Sequence, residues 1–162
     1  MSFLPAGSPA PDFSLKSVVS ERSISPTNIP GQLLLIFHGY QAAALVGRTI
    51  EAIRAVYPDP QQLLIASVAD MRIVPRLLRG MAEKIMGDAY HQAAAHVPSG
   101  QDPADHIIIL PDWQGRVFAA YQIPENKGQV ALVLIDQDQL IQDTYLGHEP
   151  QEAALTLLNG RQ

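Results

Sequence analysis

Apolar residues follow two patterns along this chain. In 33–37, 63–68, 107–110 and 131–135 they run almost without interruption over strand length, the signature of strands buried on both faces. Across 42–57 the large ones fall instead at Leu45, Val46, Ile50, Ile53, Val56 and Tyr57, with Arg48, Glu51 and Arg54 on the other side. That three-and-four spacing predicts a helix with one buried face, ended by Pro58 and Pro60. Strand, helix and strand in this order predict a crossover and parallel pairing.

A second helix is expected from about Ile73 and Pro75, with Ile73, Leu77, Met81 and Ile85 as its stripe, resuming after Gly87 as far as Ala95. Residues 97–105 read as a polar Pro/Gly loop, and 117–121 as a short helix following Gly115. Asp136 to Gln139 turn the strand 131–135 into 140–146, an antiparallel hairpin. Pro150 suits the first turn of a last helix that Asn159-Gly160 stops. The sum is an α/β chain: a three-layer α/β/α sandwich with a mostly parallel central sheet and an antiparallel C-terminal hairpin. Residues 1–162 form a single domain, with an extended lead-in over 1–12, where Pro5, Pro9 and Pro11 oppose regular structure, and a helical insertion and loop over 71–105.

Composition agrees with a globule that folds alone. Hydrophobic residues make up 47% and charged residues 17% of 162 positions, and mean hydropathy is +0.04. A formal charge of −5, with only 11 scattered Lys and Arg, argues against a nucleic-acid surface. No apolar run is long enough to span a bilayer and no secretory leader is visible, so a cytoplasmic location is the expectation. The chain has no cysteine, which removes disulfides, thiolate metal sites and thiol nucleophiles from its chemistry.

Four stretches, in order, resemble the redoxins, meaning peroxiredoxins of the alkyl hydroperoxide reductase/thiol-specific antioxidant type and their thioredoxin-like relatives. Ala6-Gly7-Ser8-Pro9-Ala10-Pro11-Asp12-Phe13-Ser14-Leu15 is similar to the family's "G-x-x-A-P-D-F-x-L" opening. Ile65-Ala66-Ser67-Val68-Ala69-Asp70 resembles its strand ending in "V-S-x-D". Leu110 to Tyr121 resembles "L-x-D-x-x-G-x-V-A-x-x-Y", and Leu134-Ile135-Asp136 the "F-L-I-D" before the final hairpin. The resemblance implies a thioredoxin-like fold with thiol chemistry at the start of the first long helix. Laid against "F-W-x-x-W-C-x-x-C", however, Phe37 to Leu45 puts Ala42 and Leu45 where the cysteines belong, with His38 and Gln41 in place of tryptophan. Val130 falls where the family carries a cis-proline or an active-site arginine. Replacement of one thiol within Ala42 to Ala44 would not account for Leu45 and Val130, so a natural loss of thiol function is the reading.

His38, Tyr40, Gln41 and Val130 form the candidate ligand cleft, because open α/β sheets bind ligands beyond the carboxyl ends of their strands. Local hydrogen bonding of His38 and closure of the turn by Tyr40 or Gln41 is the plainer alternative. Asp88 and His91 could share a helix face, with His96, Asp105 and His106 nearby, but no spacing matches a metal-ligand motif, and neither metal nor cofactor is expected. Arg72, Arg76 and Arg79 are read as a solvated basic row opposite Ile73, Leu77 and Met81, or as a dock for a carboxylate. Ser67 and Ser99 lack a nucleophile-elbow context. The expected function is a redoxin-like domain that has lost peroxidase and disulfide oxidoreductase activity and serves as a binding or protein-interaction module for a protein or small ligand, a homodimer being one form. The alternative is a non-thiol enzyme or a metal or small-ligand site built on His38, Tyr40 and Gln41.

Overall fold

The computed structural model describes residues 4–124 and 128–160. Two short strands, β1 (Leu15–Lys16) and β2 (Ser23–Ile24), form a small antiparallel hairpin. The main sheet contains β3 (Gln32–His38), β4 (Leu63–Asp70), β5 (Ile109–Asp112), β6 (Val130–Ile135) and β7 (Ile141–Gly147), in the spatial order β5-β4-β3-β6-β7. β3, β4 and β5 pair in parallel, while β6 is antiparallel to both β3 and β7, so β6 alone runs against the other four. The helices are α1 (Ala43–Val56), α2 (Arg79–Ala94), α3 (Pro103–His106), α4 (Arg116–Ala120) and α5 (Pro150–Asn159).

Because side chains alternate across a pleated strand, the unbroken apolar runs feed two cores. Leu33, Leu35 and Phe37 of β3 join Ala131, Val133 and Ile135 of β6 beneath Val117, Phe118, Tyr121 and Ile24. Leu34 and Ile36 join Val130, Leu132 and Leu134 against α1 and α5 through Val46, Ile53, Ala154 and Leu158. Every residue of β6 is buried. This is the three-layer arrangement expected from the pattern.

The lead-in, described from Leu4 onward with 1–3 outside the described residues, is tied down despite its prolines. Gly7 donates to the Ile141 carbonyl (2.7 Å), Ile141 to that of Ser8 (2.9 Å) and Ala10 to that of Gln139 (2.8 Å). The Tyr121 hydroxyl donates to the Pro11 carbonyl at 2.7 Å. Tyr121 is fully buried between Phe13 and Phe37, so the "A-P-D-F" stretch and the terminal tyrosine of the "L-x-D-x-x-G" stretch belong to one packing unit.

Three expectations need correction. A 3-10 turn, Arg76–Leu78, precedes α2, which then continues unbroken through Gly87. Its apolar stripe is not a core face: Ile73, Leu77, Met81 and Ile85 are 71%, 96%, 63% and 63% exposed, and Tyr90 is the buried residue of α2. The loop 97–105 contains the start of α3, where the Asp102 side chain accepts from Ala104 N (3.0 Å) and Pro103 opens the turn. Ile107 donates back to Pro103 O (2.8 Å), which moves the following strand on to Ile109.

Candidate functional site

The parallel register sets His38, the last residue of β3, beside Ala69 of β4. Beyond these strand ends lies a cleft of about 460 Å³. Phe37, Phe118, Ile123 and Leu146 give it an apolar wall, and His38, Gln41, Arg72 and Gln129 bring polar groups to it. Three of the four residues expected here line it: His38, Tyr40 and Gln41. Val130 does not. It is fully buried in the core under α1 and α5, and its neighbours Gln129 and Ala131 reach the cleft instead. Counting along the strand located the right segment, but a shift of one residue exchanges the faces of a sheet.

His38 is 8% exposed, and burial pushes its imidazole below the ordinary histidine value. Its Nδ1 lies 2.9 Å from the Gly39 carbonyl. Since a carbonyl only accepts, the ring proton of the neutral form sits on Nδ1 and leaves Nε2 with a lone pair. Tyr40 is 71% exposed at the outer rim. The backbone forms a 3-10 turn over Tyr40–Ala42 before α1 begins at Ala43. Ala42, where the resemblance calls for a cysteine, is buried in the second core with Val46, and Leu45 packs against the same core.

Arg72 and Asp70 form the charged part of the cleft, and the sequence named both without pairing them. Arg72 Nε donates to Asp70 Oδ1 (2.9 Å) and Nη2 to Oδ2 (2.7 Å), a two-pronged ion pair. The Arg72 backbone N–H adds a third bond to Oδ1 (3.1 Å). These bonds hold the Asp70 carboxyl below the usual carboxylate range. The guanidinium also lies over the Phe118 ring, 5.2 Å from its centroid.

The turn after β5 builds the seat beneath it. Asp112, 2% exposed, accepts at Oδ1 from Arg116 N (3.1 Å) and at Oδ2 from Val117 N (2.9 Å) and Phe118 N (3.0 Å), the unpaired donors at the start of α4. Gly115 has φ +70°, and a Cβ there would overlap Arg72 Cδ and stand 2.8 Å from Nε. The aspartate and glycine of the "L-x-D-x-x-G" stretch are therefore structural: one caps the helix that carries Phe118, the other leaves room for Arg72.

The remaining candidates disperse. Arg79 stacks on Trp113 (4.9 Å to the centroid) and Arg76 is exposed, so the expected solvated basic row breaks into three separate environments. Lys84 Nζ donates to Asp88 (3.1 Å), Arg22 to Asp105 (3.1 Å), and His106 Nε2 lies 2.5 Å from Gln101 Oε1. The His91 ring meets the edge of Tyr90. Among the described residues no three metal-ligating side chains come together. Ser67 is buried and donates to the Ile108 carbonyl (3.3 Å).

A sheet ordered β5-β4-β3-β6-β7 and layered between helices has many counterparts among solved structures. A Chlorobium tepidum protein proposed to be the thiol:disulfide interchange protein DsbE is 19% identical, with 97% of each chain covered and a TM-score of 0.62. The exposed lipoprotein thioredoxin Etrx1 of Streptococcus pneumoniae is 14% identical over 92% of this chain and 99% of its own, with a TM-score of 0.62. StoA of Bacillus subtilis is 15% identical over 94% and 98%, at 0.59. The fold is thioredoxin-like. No family model and no curated protein matches the chain. On this thioredoxin-like frame the helix start following β3 offers Ala42 and Leu45, and no thiol is available anywhere in the chain. No helix among the described residues is long and apolar enough to cross a membrane.

Proposed function

We propose that this chain is a thioredoxin-fold domain whose thiol chemistry is gone and whose cleft serves binding. The observation that carries the reading is the pairing of a formed cleft with an alanine at the helix start behind it. The volume, about 460 Å³, lies within the range of small-ligand sites, and an apolar wall with few polar groups is their usual lining. Gln41, Gln129 and the Nε2 lone pair of His38 offer both donors and acceptors, while Arg72 is engaged by Asp70. That combination suits an uncharged, hydrogen-bonding ligand with a flat apolar body, or a short segment of a protein partner. The four redoxin-like stretches support descent from the peroxiredoxin branch of that plan.

Peroxide consumption and insulin-disulfide reduction by the protein should stay at background, and clear turnover in either refutes the loss of thiol function. Binding is tested by amide chemical-shift mapping with a fragment library. Shifts should concentrate at His38, Gln41, Phe118 and Gln129, and a library that leaves these amides unmoved refutes the cleft as the binding site.

A second reading rests on His38. A buried neutral imidazole with its proton fixed on Nδ1 by Gly39 has the protonation state of a general base. Hydrolysis of activated esters that His38→Gln abolishes would favour it, and rates equal in the two proteins would dismiss it. Elemental analysis of untagged protein distinguishes a metal-dependent version.

A further inference from the structure

Among the polar side chains that line the cleft, His38 alone is both buried and fixed in polarity. The amides of Gln41 and Gln129 can turn to present either an N–H or a carbonyl oxygen, so they meet a donor or an acceptor alike. Arg72 and Asp70 hold each other through Nε and Nη2. The His38 ring is 8% exposed, and its Nδ1 proton goes to the Gly39 carbonyl at 2.9 Å. Turning the ring over would forfeit that bond. No side chain or backbone group among the described residues donates to Nε2. Nor does Nε2 belong with the polar atoms sealed in the interior without a partner, which are those of Arg54 and Arg79; it opens on the cleft that His38 lines. A lone pair on so deeply set a ring has lost most of its access to water, and a donor from a bound molecule would restore the bond.

We infer that the ligand of this cleft is a hydrogen-bond donor at His38: an uncharged, flat molecule whose ring N–H or hydroxyl points at Nε2. This choice of ligand rests on the cleft being a binding site and narrows that reading, because the glutamines adapt to either polarity while His38 imposes one. An acceptor atom placed against Nε2 sets one lone pair against another and leaves the imidazole without its bond. Discrimination of this kind is strong, since it comes from a buried polar group left unpaired and not from a missing methylene.

The lactam carbostyril and the lactone coumarin share a flat bicyclic frame and a carbonyl, and differ at one ring position, an N–H in the first and an oxygen in the second. Each is titrated into isotope-labelled protein and followed by magnetic resonance at the amides of His38, Gln41, Phe118 and Gln129 and at the His38 ring nitrogens. Carbostyril should bind at least about tenfold more tightly, the ratio that about 1.4 kcal/mol supplies. The Nε2 resonance should move with carbostyril. His38→Gln sets an amide of either polarity at that depth and should bring the two affinities within about threefold, chiefly by strengthening coumarin. Equal affinities in the wild-type protein overturn the inference and leave the cleft a binding site. Carbostyril that binds without moving the Nε2 resonance, or a preference that a folded His38→Gln protein retains, overturns the role of His38. A fragment library, these two compounds included, that moves none of the cleft amides overturns the binding reading and this inference together.

Discussion

Replacing Asp112 with alanine tests whether the turn after β5 is held by one buried carboxylate. Its oxygens accept three backbone N–H groups within 3.1 Å, two of them, those of Val117 and Phe118, buried. Hydrogen bonds to a charged group contribute about 1.5–3 kcal/mol each, and a buried donor left without a partner costs about 1–3 kcal/mol. Alanine offers no acceptor, and the space beside a 2%-exposed side chain gives water little access. The bonds are not additive, so the expected loss is about 3–5 kcal/mol, against about 0.5–2 kcal/mol for an ordinary helix cap. Asparagine keeps the shape and one accepting oxygen, and should cost roughly half as much. Urea unfolding at neutral pH, followed by tryptophan fluorescence and by circular dichroism, gives both values from the midpoints if the slope is unchanged. An alanine variant within about 1 kcal/mol of wild type would refute the assignment, because that is less than one charged hydrogen bond is worth.

Two further predictions concern the lead-in and the cleft. Tyr121→Phe deletes the bond to the Pro11 carbonyl and should cost about 1–2 kcal/mol, with faster hydrogen exchange at the Ala10 and Ile141 amides, which share that segment; unchanged exchange would show that the lead-in is held without it. Burial keeps His38 below its ordinary value of 6.5, so between those two values the unfolded chain binds a proton that the folded chain does not. The associated stability is fully present above about pH 6.5 and is lost as pH falls through the folded value, with a limiting slope of about 1.4 kcal/mol per pH unit. His38→Asn should flatten the fall in urea midpoint between neutral and mildly acid pH, and an identical fall in both proteins would remove His38 as its source.

The strands were legible because burial on both faces leaves unbroken apolar runs of strand length, and α1 because burial of one face leaves a three-and-four spacing: 33–37 became Gln32–His38 and 42–57 became Ala43–Val56. The spacing of Ile73, Leu77, Met81 and Ile85 was equally regular, but periodicity reports a shared face and is silent on what that face meets. The cleft was half legible. His38, Tyr40 and Gln41 are consecutive with a strand end, whereas Asp70, Phe118 and Gln129 arrive from three other segments through the register of β3 with β4 and β6. Asp70 closing the "V-S-x-D" stretch was the available signal. Its bond to Arg72 two residues on depends on a turn that the sequence does not announce. Val130 failed through parity, since only even-numbered residues of β6 face α1.

Arg72 occupies volume that any side chain at position 115 would claim. The cleft's guanidinium is thus held partly by a vacancy in the covalent structure, and position 115 acts as a mould for it. Even alanine at 115 would have to displace the Arg72 stem, and with it the plane resting on Phe118. In this chain the glycine at 115 leaves the arginine room to hold Asp70 and rest on Phe118 at once, and a larger residue there would push its stem aside.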